Sequence, residues 1–237
     1  MKKIRMMTAA CLLAGLVLAG CSRQTQFTYE GSRLESMARD LQENAQADSF
    51  AKNLCVVTGE EGEEDASVTA EAAAAFGIDS KQVIFQKNPF ERLYPASITK
   101  IMTALIAIRD GDLTDSVTVG PETVITETGA SLAHINPGDT LTMEQLLYGL
   151  MLPSGNDAGA AIAVHMAGST EAFAEKMNET AHALGATDTH FVNPHGLNNE
   201  DHYTTAYDLY LIFNEALKYP EFRKIIGTVS YQAQYTD

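Results

Sequence analysis

Basic residues are scarce in this sequence. Lysine and arginine number 16 against 31 aspartates and glutamates, so the formal net charge of the 237 residues is −15. No basic stripe is available to neutralise phosphates, which argues against a nucleic-acid binder. Cysteine is scarcer still: Cys11, Cys21 and Cys55 are the full complement. There is no HExxH, CxxC, GxGxxG or P-loop, and the six histidines show no ligand spacing. Metal and nucleotide chemistry therefore find no motif, and no metal or cofactor is expected. One long apolar run is present, residues 9–20, and it is too short to cross a bilayer stably. The whole sequence is 45% hydrophobic, enough for one ordinary globular core, with an anchor besides.

The apolar run follows Lys2, Lys3 and Arg5, and no acidic residue precedes Glu30. A cationic start, an apolar middle and a small-residue end are the layout of a signal peptide over residues 1–20, with a buried helix as the alternative. The end of the run, Leu18-Ala19-Gly20-Cys21, resembles the bacterial lipobox. That resemblance implies a lipid on Cys21 and an extracytoplasmic lipoprotein held to a membrane by its acyl chains. An ordinary signal-peptidase site beside a chance cysteine is the other reading. With Cys11 removed and Cys21 acylated, Cys55 is left without an intramolecular disulfide partner and reads as a small buried strand residue.

Residues 21–50 are polar and read as a tether, and 51–237 as the folded domain. Within it, "LCVVT" (54–58) is a strand candidate, and the acidic run "EEGEED" (60–65) a solvated loop. "AAAAFGID" and "QVIFQKN" flank Asp79-Ser80-Lys81 as a hairpin, although the alanine-rich half also suits a helix. A helix is predicted over 97–109, with Ile98, Ile101, Met102, Leu105 and Ile106 as its buried face. Pro137-Gly138 marks a turn. Thr142 and Gln145 form a capping box for a helix over 143–151. Further helices are expected over 157–167 and 170–184. Another, capped by Thr205 and Asp208, runs through Lys218 and is ended by Pro220. "SYQAQYTD" closes the sequence with strand-like residues. Strands first, then helices, then expected strands give an α+β class.

Chemistry enters at "YPASITKIMTAL". A capping reading of Ser97 would want Glu or Gln three residues on, yet Lys100 stands there. Helix N-termini favour anions, so an ammonium in the first turn is poorly placed. Neighbours at i and i+3 bring the Lys100 amine within reach of the Ser97 hydroxyl. The positive helix end and apolar surroundings disfavour the charged amine, which equips it to take a proton from serine. A lone Ser-x-x-Lys is weak by itself: Ser49-Phe50-Ala51-Lys52 fits as well and has no such context. The second piece is Ser154-Gly155-Asn156, the one Ser-x-Asn of the chain. Its hydroxyl could relay a proton and its amide orient Lys100 or hold a substrate carbonyl; a helix N-cap is the plainer reading.

Together, "YPASITKIMTAL", "LLYGLMLPSGNDAGAAIA" and "FVNPHGL" closely resemble the D-alanyl-D-alanine carboxypeptidases of the low-molecular-mass penicillin-binding proteins. The resemblance runs from about residue 54 to 227. It implies a penicillin-binding, β-lactamase-like fold: an antiparallel sheet with a helical subdomain, and Ser97 at their junction. It also implies Ser97 as the nucleophile, Lys100 as its base, and Ser154 and Asn156 as the assisting pair. The substrate would be a peptidoglycan stem peptide ending in D-Ala-D-Ala, with β-lactams as inhibitors. Gly196 in "NPHGL" is expected to serve an unusual backbone angle, with His195 structural. The family's third motif, Lys-Thr-Gly, which would bind the substrate carboxylate and supply an oxyanion donor, does not occur in the 237 residues. That departure leads to the expectation of a truncated chain, and to a second reading, a lipid-anchored peptidoglycan-binding remnant. A class A β-lactamase is disfavoured. Ser-Gly-Asn stands where those enzymes usually read Ser-Asp-Asn, and no equivalent of their deacylating glutamate is found.

Overall fold

Seven of the eleven residues of the helix Lys100–Asp110 (α1) are buried, including all of 102–107. A helix apolar on nearly every side belongs in the middle of a domain. The computed structural model describes residues 53–57 and 68–235, and α1 is the post around which these are packed. The expected signal peptide, Cys21, the tether and the acidic run 60–65 lie outside the described residues.

The hairpin expectation holds in both halves. Ala73–Gly77 (β1) pairs antiparallel with Gln82–Lys87 (β2), with a register shift between Ala75 and Phe76. A second small ladder joins Ser116–Thr118 (β3) to Thr140–Thr142 (β4). Gly138, at φ 102°, makes the turn before β4. Met143–Met151 (α2) then starts on the predicted capping box. Thr142 Oγ1 accepts from the Gln145 N–H, and Gln145 Oε1 accepts from the Thr142 N–H.

Asn156–Ala167 (α3) and Thr170–Ala183 (α4) follow, then Ala206–Ala216 (α5). Helices α2 to α5 all pack on α1. Leu105, Ile106, Leu146, Leu147, Leu150, Ile162, Phe173 and Met177 are fully buried in the core. Small residues along α3 allow close approach: a Cβ on Gly159 would stand 3.2 Å from Leu150 and 3.5 Å from the Pro194 carbonyl oxygen.

Five local expectations are corrected. Residues 54–57 form no strand, because their polar groups bond to side chains. The Cys55 N–H donates to the Tyr210 hydroxyl (2.8 Å), and the Tyr207 hydroxyl donates to the Cys55 carbonyl (3.0 Å). Cys55 is buried and free, as a small core residue would be. Ile98 does not belong to the buried face and is half exposed. Asp208 does not cap α5; Thr205 does that alone, accepting from the Asp208 N–H, while the Asp208 carboxylate turns inward to Asp188 N–H and the Thr189 hydroxyl. Pro220 opens a helix, Pro220–Ile226 (α6), where its fixed φ and missing N–H suit the first turn. Residues 229–235 pair with no strand among the described residues; there Tyr231 stacks on Tyr148 at 3.8 Å between ring centres.

Candidate active site

The chain enters α1 through a tight 3-10 turn, Ala96–Thr99, behind Pro95 at φ −74°. In such a turn side chains at i and i+3 eclipse one another, a closer stacking than the α-helical first turn expected from sequence. Lys100 Nζ accordingly lies 3.1 Å from Ser97 Oγ. The turn has no side-chain cap, and Ala96 sits in the left-handed region at φ 47°. For a residue with a Cβ that conformation costs on the order of 1–2 kcal/mol.

Lys100 is 2% exposed and makes two further contacts. Its Nζ donates to Asn156 Oδ1 at 2.7 Å and to the His195 carbonyl oxygen at 2.7 Å. Burial holds its amine at about 8, below the usual 10.5, while the Asp157 carboxylate pulls the other way. Desolvation is therefore the main source of the depression expected from the first-turn placement. Asn156, at the first position of α3, is buried beside it.

Ser154 is handled differently. It stands in the loop between α2 and α3 in a left-handed conformation, φ 61°, and its hydroxyl bonds to none of the described residues. The Ser-x-Asn motif thus brings its asparagine to Lys100, and its serine only to the adjoining strained turn. Gly155 between them has no room for a Cβ, which would meet the Gly149 carbonyl at 2.7 Å and Ala133 at 2.8 Å.

The third side of the site is the loop 193–197. Asn193 Oδ1 accepts from the N–H groups of His195 (3.3 Å) and Gly196 (2.7 Å), and its Nδ2 donates to the Leu197 carbonyl (2.9 Å). The closed turn directs two successive carbonyls at α1: Pro194 accepts from the Thr103 hydroxyl (2.6 Å), and His195 from Lys100. Gly196 lies at φ 87°, and a Cβ there would fall 1.9 Å from the Ala96 carbonyl oxygen. Only glycine fits this contact between the loop and the 3-10 turn. The His195 ring is buried, and desolvation holds it neutral, at about 4. Behind the turn, Val192 N–H donates to His202 Nδ1 (3.2 Å), which leaves the His202 proton on Nε2, 2.8 Å from Thr99 Oγ1. Sequence reasoning missed Asn193, Thr103, His202 and the His195 carbonyl. Only Asn193 carried a signal, as an Asn-Pro dipeptide of the kind that opens turns.

Among the described residues, no group of three or more His, Cys, Asp or Glu side chains is placed to hold a metal ion. None of the described helices is long and apolar enough to cross a membrane. The sequence profile of the D-alanyl-D-alanine carboxypeptidase family matches residues 59–236. The chain belongs to that family. It is 39% identical over 184 residues to the D-alanyl-D-alanine carboxypeptidase DacF of Bacillus subtilis, covering 75% of this chain and 47% of that one. It is 38% identical over 154 residues to DacA of Escherichia coli, covering 61% and 38%. The chain thus spans about half, or less, of the length of these curated relatives. Among solved structures, a variant of the Streptomyces K15 DD-transpeptidase superposes with a TM-score of 0.69 at 33% identity, over 72% of this chain and 70% of that one. DacD of Francisella tularensis gives 0.65 at 30% identity, over 72% and 42%. The α+β fold is therefore that of the penicillin-binding DD-peptidases, as the motifs implied.

Proposed function

We propose that the chain carries the acylating site of a serine D-Ala-D-Ala carboxypeptidase, which removes the terminal D-alanine from peptidoglycan stem peptides. The observation that supports it most directly is the set of three contacts around Lys100 Nζ. As an ammonium, the group donates one N–H to each of Ser97 Oγ, Asn156 Oδ1 and the His195 carbonyl. As a neutral amine it keeps two N–H groups and one lone pair. The amide and carbonyl oxygens can only accept, so they take the two N–H groups and the lone pair is left facing the Ser97 hydroxyl. Neutral Lys100 is then oriented as a general base for that one proton.

In the first step Ser97 Oγ attacks the carbonyl of the penultimate D-alanine and its proton passes to Lys100. The C–N bond breaks, and the proton returns to the departing amine of D-alanine, directly or through the Ser154 hydroxyl. Water then cleaves the Ser97 ester. The N–H of Ser97, in the first turn of the 3-10 segment, is one donor for the developing oxyanion. A β-lactam would acylate the same oxygen by ring opening. Names among the relatives include both carboxypeptidases and a transpeptidase, and these differ in whether water or an amine receives the acyl group. The match to the D-alanyl-D-alanine carboxypeptidase family favours water here.

The proposal includes the layout of the whole chain: signal peptide 1–20, lipidated Cys21, a tether to residue 50 and the catalytic domain from 51. Radiolabelled palmitate incorporation that disappears in Cys21→Ala would support the anchor, and an unlipidated mature protein would refute it. For the activity, a fluorescent penicillin should label the chain covalently, with the adduct mapping to Ser97 and absent in Ser97→Ala. Labelling that survives this change would overturn the assignment.

A further inference from the structure

Asp157 is 1% exposed and has no cationic side chain bonded to it. A bare buried carboxylate is costly unless its oxygens are satisfied by strong donors. Here backbone amides do this. Oδ1 accepts from Ala133 N–H (2.8 Å) and Ala158 N–H (2.9 Å), and Oδ2 from Ile135 N–H (3.0 Å). Between the first and last of these, His134 is in the left-handed region at φ 61°. That kink turns the two flanking N–H groups towards one anion. The neighbouring residue completes the join, since the Asn156 N–H donates to the Ser131 carbonyl at 2.8 Å.

Segment 131–135 is thus fastened across the start of α3 by three hydrogen bonds, two of them to the Asp157 side chain; the third bond to that carboxylate, from Ala158, lies within α3. The residue beside that carboxylate, Asn156, is the one that grips Lys100. We infer that Asp157 is a positioning residue of this active site: its buried carboxylate locks segment 131–135 to the first turn of α3, and so fixes both the Asn156 amide and the electrostatic setting of Lys100. An amide would not replace it, because its NH2 would confront a backbone N–H donor. The charged and titratable groups around Lys100 are few. From α3 there is Asp157; from the loop 193–197 there is His195, and beyond it His202, both held neutral by burial, at about 4. Of these, the Asp157 carboxylate is the one that favours the Lys100 ammonium.

The inference rests on the catalytic reading but is tested without relying on turnover. In the unaltered 237-residue chain, the amides of Ala133 and Ile135 should exchange with solvent as slowly as that of Ile162 inside α3. Asp157→Asn should speed both by more than about tenfold, the equivalent of one charge-assisted hydrogen bond, and leave Ile162 protected. The Lys100 titration, followed by NMR of its Cε, should move to lower pH in the same variant. Asp157→Glu should restore that midpoint, because it retains the charge. Fast exchange at Ala133 and Ile135 in the unaltered chain would overturn the inference, even if Asp157→Asn fails to fold. Faster exchange with an unmoved Lys100 midpoint would also overturn it, reducing Asp157 to packing. Failure of the unaltered chain to take up penicillin would count against the proposed activity alone.

Discussion

Two helices in this protein begin with a hydroxyl residue followed three positions later by a long polar side chain, and they use the pair in opposite ways. At α2, Thr142 and Gln145 exchange hydrogen bonds with each other's backbone and satisfy two orphan N–H groups. At α1, Ser97 and Lys100 satisfy none. Their side chains bond to each other, the turn tightens to 3-10, and Ala96 is held in the left-handed region. The first pair stabilises a helix end. The second leaves its helix end uncapped and strained, and the strain is maintained from outside by Asn156, by the His195 carbonyl and by the fit of Gly196 against Ala96. The same spacing serves stability where the partner is an amide and, on the proposed mechanism, chemistry where it is an amine.

The contrast is broken most severely by removing the amine. Lys100→Met should slow penicillin acylation by about 10²–10⁴-fold, the usual contribution of a general base, when rates are compared by fluorescent-penicillin labelling. Equal labelling of the two proteins would abolish the distinction between the helix starts. Gly196→Ala should come next. A Cβ 1.9 Å from the Ala96 oxygen forces the 193–197 loop off the turn. Both labelling and melting temperature should fall, by more than the 1 kcal/mol typical of a strained backbone site alone. Acid should also loosen the α1 side selectively. His195 and His202 bind protons more readily in the unfolded chain than in the folded one, near 6.5 against about 4. Their contribution to stability is therefore intact above pH 6.5 and is lost progressively as pH falls towards 4. Urea unfolding across that range should show the decline, and His202→Gln should flatten part of it. The smallest effect is the sharpest control. Thr142→Ala should cost about 1 kcal/mol in urea unfolding, as caps generally do, and leave the labelling rate unchanged.

Much of this was legible in the sequence where one local pattern decides the outcome. The β1–β2 hairpin, the capping box and the bounds of α2 follow from turn residues and a spacing of three. So does the Ser97–Lys100 encounter. What escaped depends on contacts distant in sequence. The carbonyl of His195 reaches Lys100 across 95 positions, and a backbone oxygen carries no residue-type signal. Residues 54–57 read as a strand because their side chains are apolar, but two tyrosine hydroxyls some 150 positions away take their backbone groups. Pro220 ended one helix in the reading and began another in the fold, because proline is equally at home after a helix and at position one of the next. Ser154 and Asn156 share one motif, and only Asn156 bonds to Lys100, because Ser154 lies in a left-handed turn.

The central claim is that the Lys100 amine must be neutral to take the Ser97 proton. The direct measurement is the second-order rate of penicillin acylation from pH 6 to 9.5. It should climb about tenfold per unit at the acid end and level off with a midpoint near 8, where burial holds Lys100. A rate that is flat through this range, or that falls as pH rises towards 8, would contradict the account.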